Sequence, residues 1–235
     1  MKLTTFLIPL LCLECALLVS SQTLSELVYE LITTNENEKT ASVKKLSEQY
    51  DQTKTEINNL LNRITIPYMN VMYEDLENYI EKLKTDTTSA GYDPTDCLTA
   101  TKEHLESNSI TKILDKALVE MSTVYEEIAS NIHFTGTYNL QVIANEVNTI
   151  ATDFSICVSS EYPEYCNKTL STKVIAKQDQ IPVLFNKEVE RTSVALTQLV
   201  VEYENRIQDY QQEAVAVTKP YLALLESCIS VVLTK

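Results

Sequence analysis

Six cysteines and two histidines are the side chains of this 235-residue chain best suited to redox, metal or nucleophilic chemistry. Cys12-Leu-Glu-Cys15 has the C-x-x-C spacing of a redox or zinc motif, but it lies inside an N-terminal apolar run that reads as a removable leader. His104 and His133 fall on separate elements, without the H-x3-H or H-E-x-x-H spacing that places two ligands on one helix face. Carboxylates are plentiful, as at Glu126-Glu127, Glu188, Glu190, Glu202 and Glu204. Paired acids do acid–base chemistry only when burial drives their pKa values apart. These fall away from the apolar seams and read as a solvated face. No G-x-S-x-G, P-loop or EF-hand pattern occurs. The sequence therefore gives no catalytic, cofactor-binding or metal-ligating residue, and the expectation is a non-enzymatic protein without a cofactor.

Lys2 supplies a positive charge near the start, and Leu3 to Val19 is apolar apart from Thr4, Thr5, Pro9 and Glu14. A charged start, a short apolar run and small residues at Val19 and Ser21 predict a signal peptide over residues 1–21, with export to the extracellular space. The run is short for a membrane anchor and is interrupted by Glu14. Cleavage would leave Cys97, Cys157, Cys166 and Cys228, an even number in an oxidising compartment, hence two disulfides with three possible pairings. A formal net charge of −14 argues against nucleic acid and anionic membrane surfaces as partners. After the leader no second apolar span is expected, and hence no membrane attachment after cleavage.

The elements that hold these cysteines are helical. Only Gly91 and Gly136 supply glycine, and few segments alternate with period two. Val43, Leu46, Tyr50, Thr53, Ile57, Leu60 and Ile64 step by threes and fours, as do Leu140, Ile143, Val147, Ile150, Phe154 and Cys157. A third seam runs Phe185, Val189, Thr192, Leu196, Leu199, Tyr203, then Ile207, Tyr210, Ala214 and Val217. Such spacing lines one helix face, as in bundles and coiled coils. The predicted fold is all-α: an elongated antiparallel bundle of long amphipathic helices, stapled by disulfides. Helices are expected over residues 24–33, 39–63, 67–85 and 109–131, then one that ends near Cys157, and from Thr169 to the end. Ile110, Ile113, Leu114, Ala117, Met121, Val124, Tyr125 and Ile128 should face inward. Turns are expected at residues 86–94, 133–137 and 159–166, a cap at Thr95 or Asp96, and bends at Pro67, Pro182 and Pro220. Val183 to Thr218 alone would span about 54 Å as one helix. The chain divides into the leader, an N-terminal helical region 22–90 and a C-terminal helical domain 91–235.

Asn167-Lys168-Thr169 is the one N-x-S/T sequon, making Asn167 a glycosylation candidate. Tyr50, Tyr79, Tyr125, Tyr203 and Tyr210 fall on or beside the seams, where rings pack and hydroxyls reach the rim. Cys157-x8-Cys166 matches the last cysteine pair of insect odorant-binding proteins, but the upstream C-x3-C pair of that family is missing. With its leader, glycine-poor helical body and cysteines 97, 157, 166 and 228, the chain instead resembles the insect TsetseEP-domain family. Phe154-Ser-Ile-Cys157 through Tyr162-Pro163-Glu-Tyr165-Cys166 is the supporting stretch, and the likeness covers roughly Cys97 to Cys228. The Glu-Pro repeat tail of the founding member is absent. The resemblance implies a secreted, helical insect protein without assigned catalysis, and it transfers no active-site residue.

These readings lead to a secreted protein of the insect gut lumen or haemolymph, acting by surface or partner binding. Two alternatives stay open. One is a carrier of a small hydrophobic ligand, with Met72, Met121, Phe154 and Phe185 lining a closed cavity. The other is a structural protein that self-associates through the Val183–Thr218 stripe as a coiled-coil seam.

Overall fold

The computed structural model describes residues 23–100, 110–159 and 163–234. The leader with Cys12 and Cys15, and His104, lie outside the described residues. Every described element is helical, and no strand occurs among them. Five α-helices follow one another: α1 (Leu24–Leu60), α2 (Ile66–Ser89), α3 (Ile110–Val119), α4 (Glu126–Val158) and α5 (Pro163–Leu233). Residues 95–100 are also helical. Two π-helical turns, Leu61–Thr65 and Glu120–Tyr125, join α1 to α2 and α3 to α4. The all-α, disulfide-stapled bundle expected from the three-four spacing is the fold observed.

The chain forms two compact units, each drawn from separate stretches of sequence. The first comprises the described part of Met1–Ser47 with Phe134–Thr192. Here α1 runs antiparallel to α4, because Asn35 Nδ2 donates to the Ala144 carbonyl (3.2 Å) while Leu46 reaches Gly136. The first part of α5 runs parallel to α1, with Gln178 Nε2 donating to the Leu27 carbonyl (3.4 Å). Val28, Leu31, Leu46, Leu140, Val147, Val174 and Phe185 form its core. Each such aliphatic or aromatic side chain contributes about 1.5–3 kcal/mol when fully removed from water.

The second unit comprises Glu48–His133 and Ser193–Lys235. Its main core gathers Ile57, Leu61, Met69, Ala117, Met121, Leu199, Tyr203 and Tyr210. A smaller core of Leu225 and Ile229 packs around Cys97, with Leu83 and Leu98 at its margin. Glu120 meets Arg206 and Lys116 meets Glu213, so α3 and its π turn run against α5.

Burial along α5 follows a rule finer than three-four spacing. Leu170, Ile181, Thr192, Tyr203, Ala214 and Leu225 are all buried, each eleven residues after the last. Val174, Phe185, Leu196 and Ile207 repeat the same step, and Ile229 rejoins it. Eleven residues in three turns is about 3.67 per turn, close to the α-helical 3.6, so one narrow stripe stays on one side of the helix. In α1, Leu31, Ser42 and Thr53 keep the step, as do Asn35, Leu46 and Ile57.

The π turns occur where that rule fails. Thr53, Ile57, Leu61, Thr65 and Met69 are buried at consecutive intervals of four. So are Ile113, Ala117, Met121 and, after half-buried Tyr125, Ala129. Each four-residue step overshoots an α-helical turn by about 40°, and a wider π turn takes up the excess. The Ile66 amide accordingly donates to the Leu61 carbonyl, five residues back. Pro67 comes next, at the second position of α2, where the chain stays helical. The π turn at Glu120–Tyr125 also rotates the residues beyond Met121, so Val124 and Ile128, expected inward, are exposed and Ala129 takes the buried place.

Other expectations are corrected. The break expected between residues 33 and 39 is absent, because Asn35 is buried and bonded within α1. The turn expected at 133–137 is helix, and Gly136 lies in the middle of α4. Pro182 and Pro220 do not divide the last helix, which runs 71 residues as α5. Cys166 and Asn167 lie in α5 rather than in a turn. The loop after α2 is shorter than expected, turning at Ala90 and at Gly91, whose φ of 85° suits glycine. Asp93, not Thr95 or Asp96, caps the helix carrying Cys97: its Oδ1 accepts from the Thr95 amide (3.0 Å) and hydroxyl (2.5 Å). These bonds, the hydroxyl's foremost, hold the Asp93 carboxyl below its ordinary pKa. Finally, Glu164–Leu233 contains a stretch long and apolar enough, by length and composition, to cross a membrane, where none was expected. Within it Tyr221, Leu225 and Ile229 are buried and Cys228 is bonded to Cys97.

Candidate functional site

The four cysteines pair as Cys97–Cys228 and Cys157–Cys166, with Cα–Cα distances of 5.7 and 5.6 Å. The first ties the short helix after Gly91 to the end of α5. The second ties the end of α4 to the start of α5, next to Asn167. Asn167 is exposed, one residue past the bridge, and Thr169 donates its hydroxyl to the Tyr165 carbonyl (3.1 Å).

Two polar clusters escaped the sequence reading. In the second unit, Glu120 opens the π turn and points at α5. Arg206 grips it as a fork, Nε to Oε1 at 3.0 Å and Nη2 to Oε2 at 3.4 Å, and the Tyr210 hydroxyl donates to Oε2. The guanidinium also lies 4.7 Å from the Tyr210 ring centre. The Arg206 bond, then the Tyr210 bond, holds the Glu120 carboxyl below its usual range. Burial, reinforced by Glu120, pushes Tyr210 up to about 12. Both carboxylate oxygens are thus committed to partners, which makes the group a fixed ion pair. One helical turn away, Tyr203 packs edge-on against Tyr125 at 5.0 Å, and burial raises its pKa.

Glu188, read from sequence as solvated, is nearly buried, with a side chain 12% exposed. It accepts from Asn139 Nδ2 (3.1 Å) and from Arg191 Nη2 (2.6 Å), with Thr192 Oγ1 at 3.4 Å. Sequence reasoning missed this because the carboxylate flanks the buried stripe by one position. His133 stacks on Tyr50 at 4.8 Å. Among the described residues, no three His, Cys, Asp or Glu side chains converge as a metal site.

Of the residues expected to line a carrier cavity, Met72 and Met121 belong to the core of the second unit, Phe154 and Phe185 to that of the first. Each unit also carries an open groove. One of 510 Å³ runs between α4 and α5 past Glu146, Asp153, Lys173 and Lys177.

The surface of α4 stands apart from the rest of the acidic chain. From Ile128 to Asn145 it contains no Asp, Glu, Lys or Arg. Within the first unit, Phe134 (70% exposed), Tyr138 (60%) and Val142 (45%) succeed one another at intervals of four on its outer side. Alongside them, Gln141 Nε2 donates to Asn145 Oδ1 (2.8 Å), which also accepts from Asn148 Nδ2 (3.3 Å). The expected turn at 133–137 concealed this face by dividing it; the absence of charge over the run was the available signal.

No family model, curated protein or solved structure matches the chain.

Proposed function

We propose that this chain is a secreted, non-enzymatic protein that binds a macromolecular partner through the uncharged outer face of α4. The observation that carries the reading is the exposure of Phe134, Tyr138 and Val142 on a helix face free of charge, in a chain of net charge −14. An outward helix face in water is ordinarily charged. Protein interfaces have the opposite composition at their centres, poor in charge and rich in aromatic side chains. The amides of Gln141, Asn145 and Asn148 supply a polar margin that can exchange hydrogen bonds with a partner. Leader-like residues 1–21 and the two disulfides support an oxidising, extracellular setting. The resemblance to the TsetseEP-domain family favours an insect gut lumen or haemolymph as that setting.

Size-exclusion chromatography of tagged chain in the native fluid tests the reading. The wild-type chain and Asp179→Asn should elute in a larger assembly, and Tyr138→Glu should elute alone. Elution of all three as free monomer contradicts it.

A further inference from the structure

We infer that Asn167 accepts an N-linked glycan, and that transfer takes place before the first turns of α5 form. The inference rests on the export proposed above. Asn167 is exposed on α5, with its Oδ1 3.7 Å from Cys157 Sγ. The acceptor amide is therefore open to solvent. Thr169, the second half of the sequon, is also exposed, but it points elsewhere. Two residues along an α-helix are about 200° apart around the axis, and the Thr169 hydroxyl is held by the Tyr165 carbonyl at 3.1 Å. A transferase that must grip the amide and the hydroxyl together cannot do so on this helix. It requires the segment extended or turned.

In that state, Asn167 Nδ2 attacks C1 of the first sugar of a lipid-diphosphate-linked oligosaccharide. The new C1–N bond forms as the C1–O bond to the diphosphate breaks. The lipid diphosphate departs with the electron pair, and the amide proton passes to a base of the transferase. Oxidation of the neighbouring cysteines competes with this step: a disulfide of a secretory-compartment oxidoreductase exchanges with the two thiols, is itself reduced to a dithiol by their two electrons and two protons, and leaves Cys157 and Cys166 bonded. The bridge Cys157–Cys166 closes over a sequence separation of nine and draws the residue before Asn167 to within 5.6 Å (Cα–Cα) of the end of α4. Occupancy of Asn167 is consequently set by a race between glycan transfer and closure of this bridge.

The test expresses the chain in a eukaryotic secretory host, once with its own leader and once behind a strong heterologous leader. The second arm separates failure of export from failure of the acceptor. Peptide-N-glycosidase treatment of the secreted wild type should shift its mass by one glycan in a fraction of molecules. Asn167→Gln and Thr169→Ala should lose the shift, and Thr169→Ser should keep it. Cys157→Ser/Cys166→Ser should raise the occupied fraction at least twofold. An unshifted wild type behind the heterologous leader overturns the acceptor assignment. Equal occupancy with and without the bridge overturns the race.

Discussion

A Cβ placed on Gly136 would lie 2.5 Å from Oγ1 and 2.7 Å from Cγ2 of Thr192. The glycine in the middle of α4 is there for close approach, since Thr192 enters the space a side chain would occupy. Thr192 has little room to yield. It is buried, branched at Cβ and stiff about χ1, and its hydroxyl meets Glu188. Gly136→Ala should therefore destabilise the protein by about 1–3 kcal/mol, although alanine is the better helix former by about 1 kcal/mol. Adding Thr192→Ala should recover part of the loss, leaving Leu46 Cδ1 at 3.1 Å as the remaining contact to relax. Urea unfolding of the two single variants and the double variant measures the coupling.

The ion pair of Glu120 and Arg206 gives the second unit a dependence on acid. The Glu120 carboxyl titrates below its ordinary 4.5 in the folded chain. Its contribution is therefore complete above about pH 4.5 and is lost as pH falls through the folded value. Glu120→Gln should cost about 1–2 kcal/mol at pH 7, since a charge-assisted bond is discounted here by partial exposure. The gap between variant and wild type should narrow as the pH is lowered below 4. Unfolding midpoints at pH 7 and pH 3 check this.

Tyr210 works at the other end of the scale. Its pKa rises to about 12 against an ordinary 10. The folded chain holds this proton more tightly, so the stabilisation is present below about pH 10 and is lost as the pH climbs towards 12. Tyr210→Phe, which removes the titrating hydroxyl, should flatten the fall of unfolding midpoint between pH 10 and 12.

The two bridges differ in what they restrain. Cys97–Cys228 spans 131 residues and Cys157–Cys166 spans nine. On loop entropy alone, the first is worth about 5 kcal/mol and the second about 2.5 kcal/mol. Paired substitution of Cys97 and Cys228 by alanine should thus lower stability more than the same change at Cys157 and Cys166. Guanidinium unfolding of the two double variants ranks them.

Much of this architecture was legible because spacing reports burial. Leu46, Leu140, Val147, Leu196 and Tyr203 were placed inside from threes and fours, and all are buried. Breakers were the poorer guide. Gly136 read as a turn, and Pro182 and Pro220 as bends, yet each sits in continuous helix because packing along the stripe outweighs local preference. The eleven-residue step through Ile181, Thr192, Tyr203 and Ala214 was present in the sequence. Thr192, Tyr203 and Ala214 were read as members of a seam of threes and fours, while the bend expected at Pro182 cut Ile181 off from it. The run of fours through Leu61 and Thr65 likewise signalled a π turn. Pairing of the cysteines, the fork of Arg206 on Glu120 and the bond of Asn139 to the half-buried carboxylate of Glu188 depend on residues distant in sequence. Periodicity along a single helix holds no information about them.

The face of α4 should be dispensable for folding. Phe134→Ser and Tyr138→Glu replace exposed side chains away from the core, so each should shift stability by less than about 0.5 kcal/mol. Circular dichroism melts of the oxidised protein measure this.

Site-specific photo-crosslinking in the native fluid is the most direct measurement of the proposed role. A photoreactive residue at position 138 should join the chain to one reproducible partner protein, while the same probe at exposed Asp179 should not. A crosslink from position 138 to a second copy of the chain would replace partner binding with self-association. No crosslink from position 138, or the same products from both positions, would contradict the account.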